Sequence, residues 1–130
     1  MSLSRLLLTS MLLFLSACQT APTTTDNLQA VEERTFDAPA ETLYRLSIDT
    51  VAGLGWAVSD SDPSAGLIEA GTPATMKSFG NQVTVQITAS APEKSLVKVT
   101  SRSRRATRLE MNKTNITQFY QALSQNLADR

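Results

Sequence analysis

The residue best equipped for chemistry in this 130-residue chain is Cys18, its only thiol. A thiolate can act as a nucleophile, but it needs a base to generate it, and the chain has no histidine. Cys-His and Ser-His-Asp arrangements are therefore excluded. Zinc and other nitrogen- or sulfur-ligated metal sites lose both of their usual ligands. Carboxylates remain. Glu32 and Glu33 are adjacent on an expected strand and so point to opposite faces. Asp60 and Asp62 fall in Asp60-Ser61-Asp62-Pro63-Ser64-Ala65-Gly66, a run of turn-forming residues. Neither couple resembles the paired acids of a hydrolytic site. A calcium loop of the EF-hand type needs more oxygen ligands and a glutamate at its twelfth position; Glu69 does not meet that pattern. Asp60 and Asp62 read as a solvated turn. With one small core leaving little room for a cleft, the expectation is a non-enzymatic protein without metal or cofactor.

The surroundings of Cys18 suggest a different use for its sulfur. Met1 to Arg5 carries one positive charge, and Leu6 to Leu15 is apolar except for Thr9 and Ser10. Small residues Ser16 and Ala17 precede the cysteine. This is the pattern of a charged start, an apolar stretch and a small-residue cleavage site. The apolar run is too short to cross a bilayer core, which takes roughly 20 residues. Leu15-Ser16-Ala17-Cys18 resembles a bacterial lipobox at every position. The resemblance implies cleavage between Ala17 and Cys18, a diacylglycerol thioether on Cys18, and acylation of the new amino group. Two or more acyl chains anchor stably, at about 0.8 kcal/mol per buried CH₂, where one chain holds only marginally. An ordinary secretory signal with a chance cysteine and an uncleaved membrane helix are the alternative readings. Gln19 stands where aspartate would resemble an inner-membrane retention signal, so the outer membrane, periplasmic side, is the expected address.

Three segments follow: residues 1–17 as lipoprotein signal peptide, 18–30 as lipidated cysteine and flexible tether, and 31–130 as a single domain. The tether is rich in threonine, contains Pro22 and has few large apolar residues. Twelve basic and twelve acidic residues balance, so no global field recruits nucleic acid. The charges are segregated, with acids between Asp26 and Glu69 and bases between Lys94 and Lys113. Lipidation of Cys18 leaves no disulfide, and the fold must stand on packing.

The domain must supply the elements that position any surface chemistry. Val31 to Phe36 reads as a strand. Pro39 and Glu41 suit a helix start. Leu43, Leu46, Val51 and Leu54 form an apolar stripe, with Ala40 and Ser47 as small neighbours, until Gly53 or Gly55 stops the helix. Trp56 to Val58, Leu67 to Ala70, Val83 to Ala89 and Leu96 to about Arg104 read as four further strands. The third of these alternates most cleanly. Asn112 or Thr114 caps a second helix that runs to Asp129. Ile116, Phe119, Tyr120, Leu123 and Leu127 share one of its faces. Trp56, Phe119 and Tyr120 read as core residues. The order is β-α-β-β-β-β-α, an α+β fold with an antiparallel sheet and both helices on one face.

This order resembles the TBP-like or helix-grip arrangement. Phe36-Asp37-Ala38-Pro39 before the helix, Leu54-Gly55-Trp56 at its end and a glycine-centred turn also resemble small envelope lipoproteins of unknown function. They are similar as well to the helix-grip modules of a lipoprotein component of the outer-membrane barrel-assembly machinery. The favoured function is a lipid-anchored binding or accessory module. The alternatives are a structural subunit of an envelope assembly, or a small lipid carrier or enzyme using the groove between helix and sheet. The expected partners are the membrane, through Cys18, and an anionic envelope polymer, lipid or protein complex; nucleic acid is not expected. Two surfaces are candidates for contact. Lys98, Arg102 and Arg104 share one strand face, and Arg108 extends the row; the bland reading pairs these bases with acids such as Glu32 or Glu69. Met76 and Phe79, in the loop from Gly71 to Gln82, form a candidate apolar tip or fold back on the core.

Overall fold

The computed structural model of the chain describes residues 29–75, 80–103 and 109–130. Its elements follow the expected order: β1 (Gln29–Phe36), α1 (Ala40–Gly53), β2 (Ala57–Asp62), β3 (Leu67–Gly71), β4 (Asn81–Ala91), β5 (Lys94–Ser103) and α2 (Leu109–Ala128). β2 to β5 form an antiparallel meander. β1 closes the sheet beside β5, which gives the spatial order β1-β5-β4-β3-β2. The α+β architecture is the expected helix-grip type, with the two helices covering one face of a five-stranded sheet.

Alternation decides which face is covered. Val83, Val85 and Ile87 on β4 and Val97 and Val99 on β5 are buried, while Gln82, Gln86, Lys98 and Arg102 between them are exposed. The register places these strands side by side, Val85 opposite Val99 and Ile87 opposite Val97, so one face is apolar and the other polar. α2 lays Ile116, Phe119, Tyr120 and Leu123 on the apolar face, all at most 2% exposed, and α1 adds Leu43 and Val51. Trp56 joins this core from the residue before β2 rather than from the strand itself.

α1 begins after Pro39, whose fixed φ suits a helix entrance and whose carbonyl accepts the amide of Leu43. It ends on Gly55 at φ 77°. There the amide of Trp56 reaches back to the carbonyl of Val51, and that of Gly55 to Ala52. These are the two bonds of a Schellman stop. Ser95 Oγ donates to the carbonyl of Ala38 at 2.8 Å and ties the entrance of α1 to β5.

Three boundaries differ from expectation. β1 starts at Gln29, two residues inside the expected tether, because Gln29 and Ala30 pair with Arg102 and Ser101. β2 extends through Asp62, so Asp60 and Asp62 lie on a strand and the turn proper is Pro63 to Gly66. α2 starts at Leu109, so Asn112 is inside the helix instead of capping it. Its side chain is fully buried: Oδ1 accepts from Ser101 Oγ at 2.8 Å, and Nδ2 donates to Ser103 Oγ at 2.9 Å. Both serines sit on the inward face of β5, which makes Asn112 a polar strut between helix and sheet.

Candidate functional site

The clearest concavity lies between the first turns of α1, the β2–β3 turn and the far end of β4. It is a half-open groove of about 870 Å³. α1 contributes Ala40, Glu41, Tyr44 and Arg45; the turn contributes Pro63 to Gly66; β4 contributes Ile87, Thr88 and Ala89. It exists because β2 and β3 project a turn past the start of α1, which packs over β4 without reaching that turn.

The turn is built by local chemistry. Asp62 Oδ1 accepts from the Ser64 hydroxyl at 2.6 Å, the Ser64 amide at 3.0 Å and the Ala65 amide at 3.3 Å. The Ser64 hydroxyl bond, followed by the Ala65 amide, holds the Asp62 carboxyl below its ordinary range. Gly66 has φ 66°, and its carbonyl accepts the amide of Ile87 at 2.8 Å. A Cβ at this position would lie 2.3 Å from the Ile87 carbonyl oxygen. Only glycine permits both the turn and this approach to β4.

Tyr44 is the aromatic residue among those lining the groove. Its hydroxyl is buried and, like Ser47 Oγ and Asn81 Nδ2, has no hydrogen-bond partner among the described residues, although buried polar atoms are overwhelmingly paired. At the rim, Arg45 Nη2 lies 2.6 Å from Glu41 Oε1, with both side chains about three-quarters exposed. Ala40, Ala65, Ile87 and Ala89 supply apolar wall. The arrangement suits an apolar or aromatic body lying along Tyr44, with its polar end at the Glu41–Arg45 rim. Periodicity missed Tyr44 because it adjoins Leu43 on the stripe and reads as helix surface; the available signal was an aromatic hydroxyl at the edge of an apolar face.

The residues expected from sequence fall elsewhere. Cys18 and Ala17 lie outside the described residues, as do Met76, Phe79, Arg104 and Arg108. Lys98 and Arg102 are exposed on the uncovered face of the sheet, as the alternation implied. Lys98 stands opposite Glu33 and Gln86, and Arg102 opposite Gln29 and Gln82. Glu32 is on the other face, where it pairs with Arg34 at 2.8 Å, so it is no partner for this row. Arg34 in turn stacks 4.3 Å over the ring of Tyr120. The Tyr120 hydroxyl lies 2.8 Å from the carbonyls of both Glu32 and Val97. Burial first, then the Glu32 charge, pushes its pKa well above the ordinary tyrosine value.

No protein-family model and no curated sequence matches the chain. Solved structures do share its fold. The di-domain aromatase/cyclase BexL superposes with a TM-score of 0.58 at 18% identity over 77% of this chain, which spans 46% of BexL. The Zhui aromatase/cyclase from a Streptomyces species gives 0.55 at 12% identity, covering 75% of this chain and 92% of its own. A START superfamily protein from Mycobacterium smegmatis gives 0.53 at 12% identity, covering 77% and 94%. The expectation of a non-enzyme is corrected on two counts. It rested on the domain having little room for a cleft, and the groove provides one. The fold is also that of two aromatase/cyclases, so the architecture gives no ground for excluding catalysis.

Proposed function

We propose that this protein is a lipid-anchored envelope protein, held by Cys18 on the periplasmic side of the outer membrane, whose helix-grip domain binds a small amphipathic molecule in the α1–turn–β4 groove. The half-open groove of about 870 Å³, walled largely by small apolar residues and the side of Tyr44, carries the reading. Apolar walls at Ala40, Ala65 and Ile87 supply the affinity, and the Glu41–Arg45 pair at the mouth meets the polar end of the molecule.

The test is titration with anilinonaphthalene sulfonate, a fluorescent amphipathic probe. Ala65→Trp should fill the groove and abolish the signal. Arg45→Gln should weaken binding a few-fold, about the value of one exposed ion pair with the sulfonate. Equal fluorescence from all three proteins would place the probe elsewhere and remove the reading. Cys18→Ala should independently abolish fatty-acid labelling and release the domain from lipid fractions.

A further inference from the structure

The topology brings several chain ends together. β1 begins, β5 and β3 end, and β4 and α2 begin along one margin of the sheet: Gln29 is opposite Arg102, which is opposite Gln82, which is opposite Gly71. Lys113, near the start of α2, lines a second hollow of about 520 Å³ together with Gln29, Ala30, Val31 and Ile116. Arg102 and Lys113 therefore flank the point where the chain arrives from Cys18. Both are exposed, and neither has an ion-pair partner among the described residues.

The opposite margin has another character. Asp37, Glu41 and Glu93 lie there, and two of its bases are engaged: Arg45 with Glu41 at 2.6 Å and Lys94 with Asp37 at 3.8 Å. Arg130, which shares a hollow with Glu41 and Arg45, completes this margin. The groove opens on that side. Ile87 is six residues along β4 from Asn81, roughly 20 Å at the rise of a strand. Charge is thus uneven along the sheet: Arg102 and Lys113 stand without an acid partner among the described residues at the chain-entry margin, while the bases of the groove margin, Arg45, Lys94 and Arg130, sit among the acids Asp37, Glu41 and Glu93. The sequence continuing from Ser103 adds Arg104, Arg105 and Arg108 before α2 begins. The placement of those three lies outside the described residues, and the surface is defined by Arg102 and Lys113.

We infer that the chain-entry margin is a docking surface for an anionic bilayer, with Arg102 and Lys113 as its contact residues. The domain then stands on the membrane with its groove directed away. The inference rests on the lipid anchor proposed above. Eleven residue steps separate Cys18 from Gln29, so an anchored cysteine keeps this margin within roughly 40 Å of the bilayer even when fully extended. Exposed bases act at a charged surface within about a Debye length, 8–10 Å, which lies inside the span the anchor allows. Tethering makes a weak contact effective, since the second interaction is intramolecular. Lys98 stands mid-strand across from Glu33 and lies outside this surface, which redraws the basic row as an end rather than a stripe.

The test uses the chain from residue 18 with Cys18→Ala, so that lipidation plays no part in the readout. Every element described above lies within it. Vesicles of phosphatidylcholine are compared with vesicles of equal parts phosphatidylcholine and phosphatidylglycerol, at low and high salt. The expected result is sedimentation with the anionic vesicles only, lost at high salt. Each base is worth about fivefold near an anionic surface, so Arg102→Gln with Lys113→Gln should weaken binding more than tenfold. Lys94→Gln with Arg130→Gln should leave it unchanged. Absence of binding at low salt, equal sedimentation with neutral vesicles, or equal loss in the Lys94/Arg130 variant would each overturn the docking surface. Fatty-acid labelling at Cys18 reports on the anchor separately, so failure of one is distinguishable from failure of the other.

Discussion

Replacing Asn112 with alanine should destabilise the domain far more than its position near a helix start suggests. An exposed cap costs about 1 kcal/mol when lost, whereas Asn112 is fully buried and joins α2 to β5 through Ser101 and Ser103. Each neutral hydrogen bond contributes about 1 kcal/mol net, and each buried group left unmatched costs about 1–3 kcal/mol. Ser101 keeps one partner in the variant, because Asn115 Nδ2 donates to its Oγ at 3.3 Å. Ser103 loses its bond to the strut. The expected cost is therefore about 2–4 kcal/mol, a large share of the stability of a domain this size. It corresponds to a fall in Tm of about 10–20 °C. The assay is urea unfolding followed by circular dichroism, arranged as a double-mutant cycle of Asn112→Ala with Ser101→Ala. Coupling above about 0.5 kcal/mol is expected, since the two side chains share a bond. A loss under about 1 kcal/mol, or additive effects, would refute the account of Asn112 as a buried strut.

Other outcomes follow from single contacts. Gly66→Ala forces a side chain into the left-handed region and against the Ile87 carbonyl. It should cost more than about 2 kcal/mol in urea unfolding and distort the groove, lowering probe binding as well. The Asp62 carboxyl has a folded pKa below its ordinary 3.8, so its contribution is present above that value and lost as pH falls through the folded one. Asp62→Asn should flatten this part of the stability profile at acid pH, measured by thermal unfolding across the carboxylate range. Tyr120→Phe removes a hydroxyl held by the carbonyls of Glu32 and Val97 and should cost about 1 kcal/mol. In the parent protein, ultraviolet titration should show Tyr120 ionising well above an exposed tyrosine.

Period-two alternation in β4 and β5, the apolar stripe of α2 and the Pro39 to Gly55 punctuation of α1 are local patterns. They alone determined the element order, the covered face and most of the core, from Val83 and Val97 to Phe119 and Leu123. The proposed lipid anchor likewise rests on four adjacent residues, Leu15-Ser16-Ala17-Cys18. Tertiary structure decided the matters that depend on distant residues meeting. Asn112 read as a cap because a cap and a buried strut have the same local sequence; only the approach of Ser101 and Ser103 on β5 separates them. Glu32 and Glu33 were rightly assigned to opposite faces, yet which face held which awaited the pairing of β1 with β5 across more than sixty residues. The groove draws on residues 40–45, 63–66 and 87–89, and no periodicity links these stretches. The burial of the Tyr44 hydroxyl without a partner among the described residues is a property of packing, defined only by everything that surrounds it.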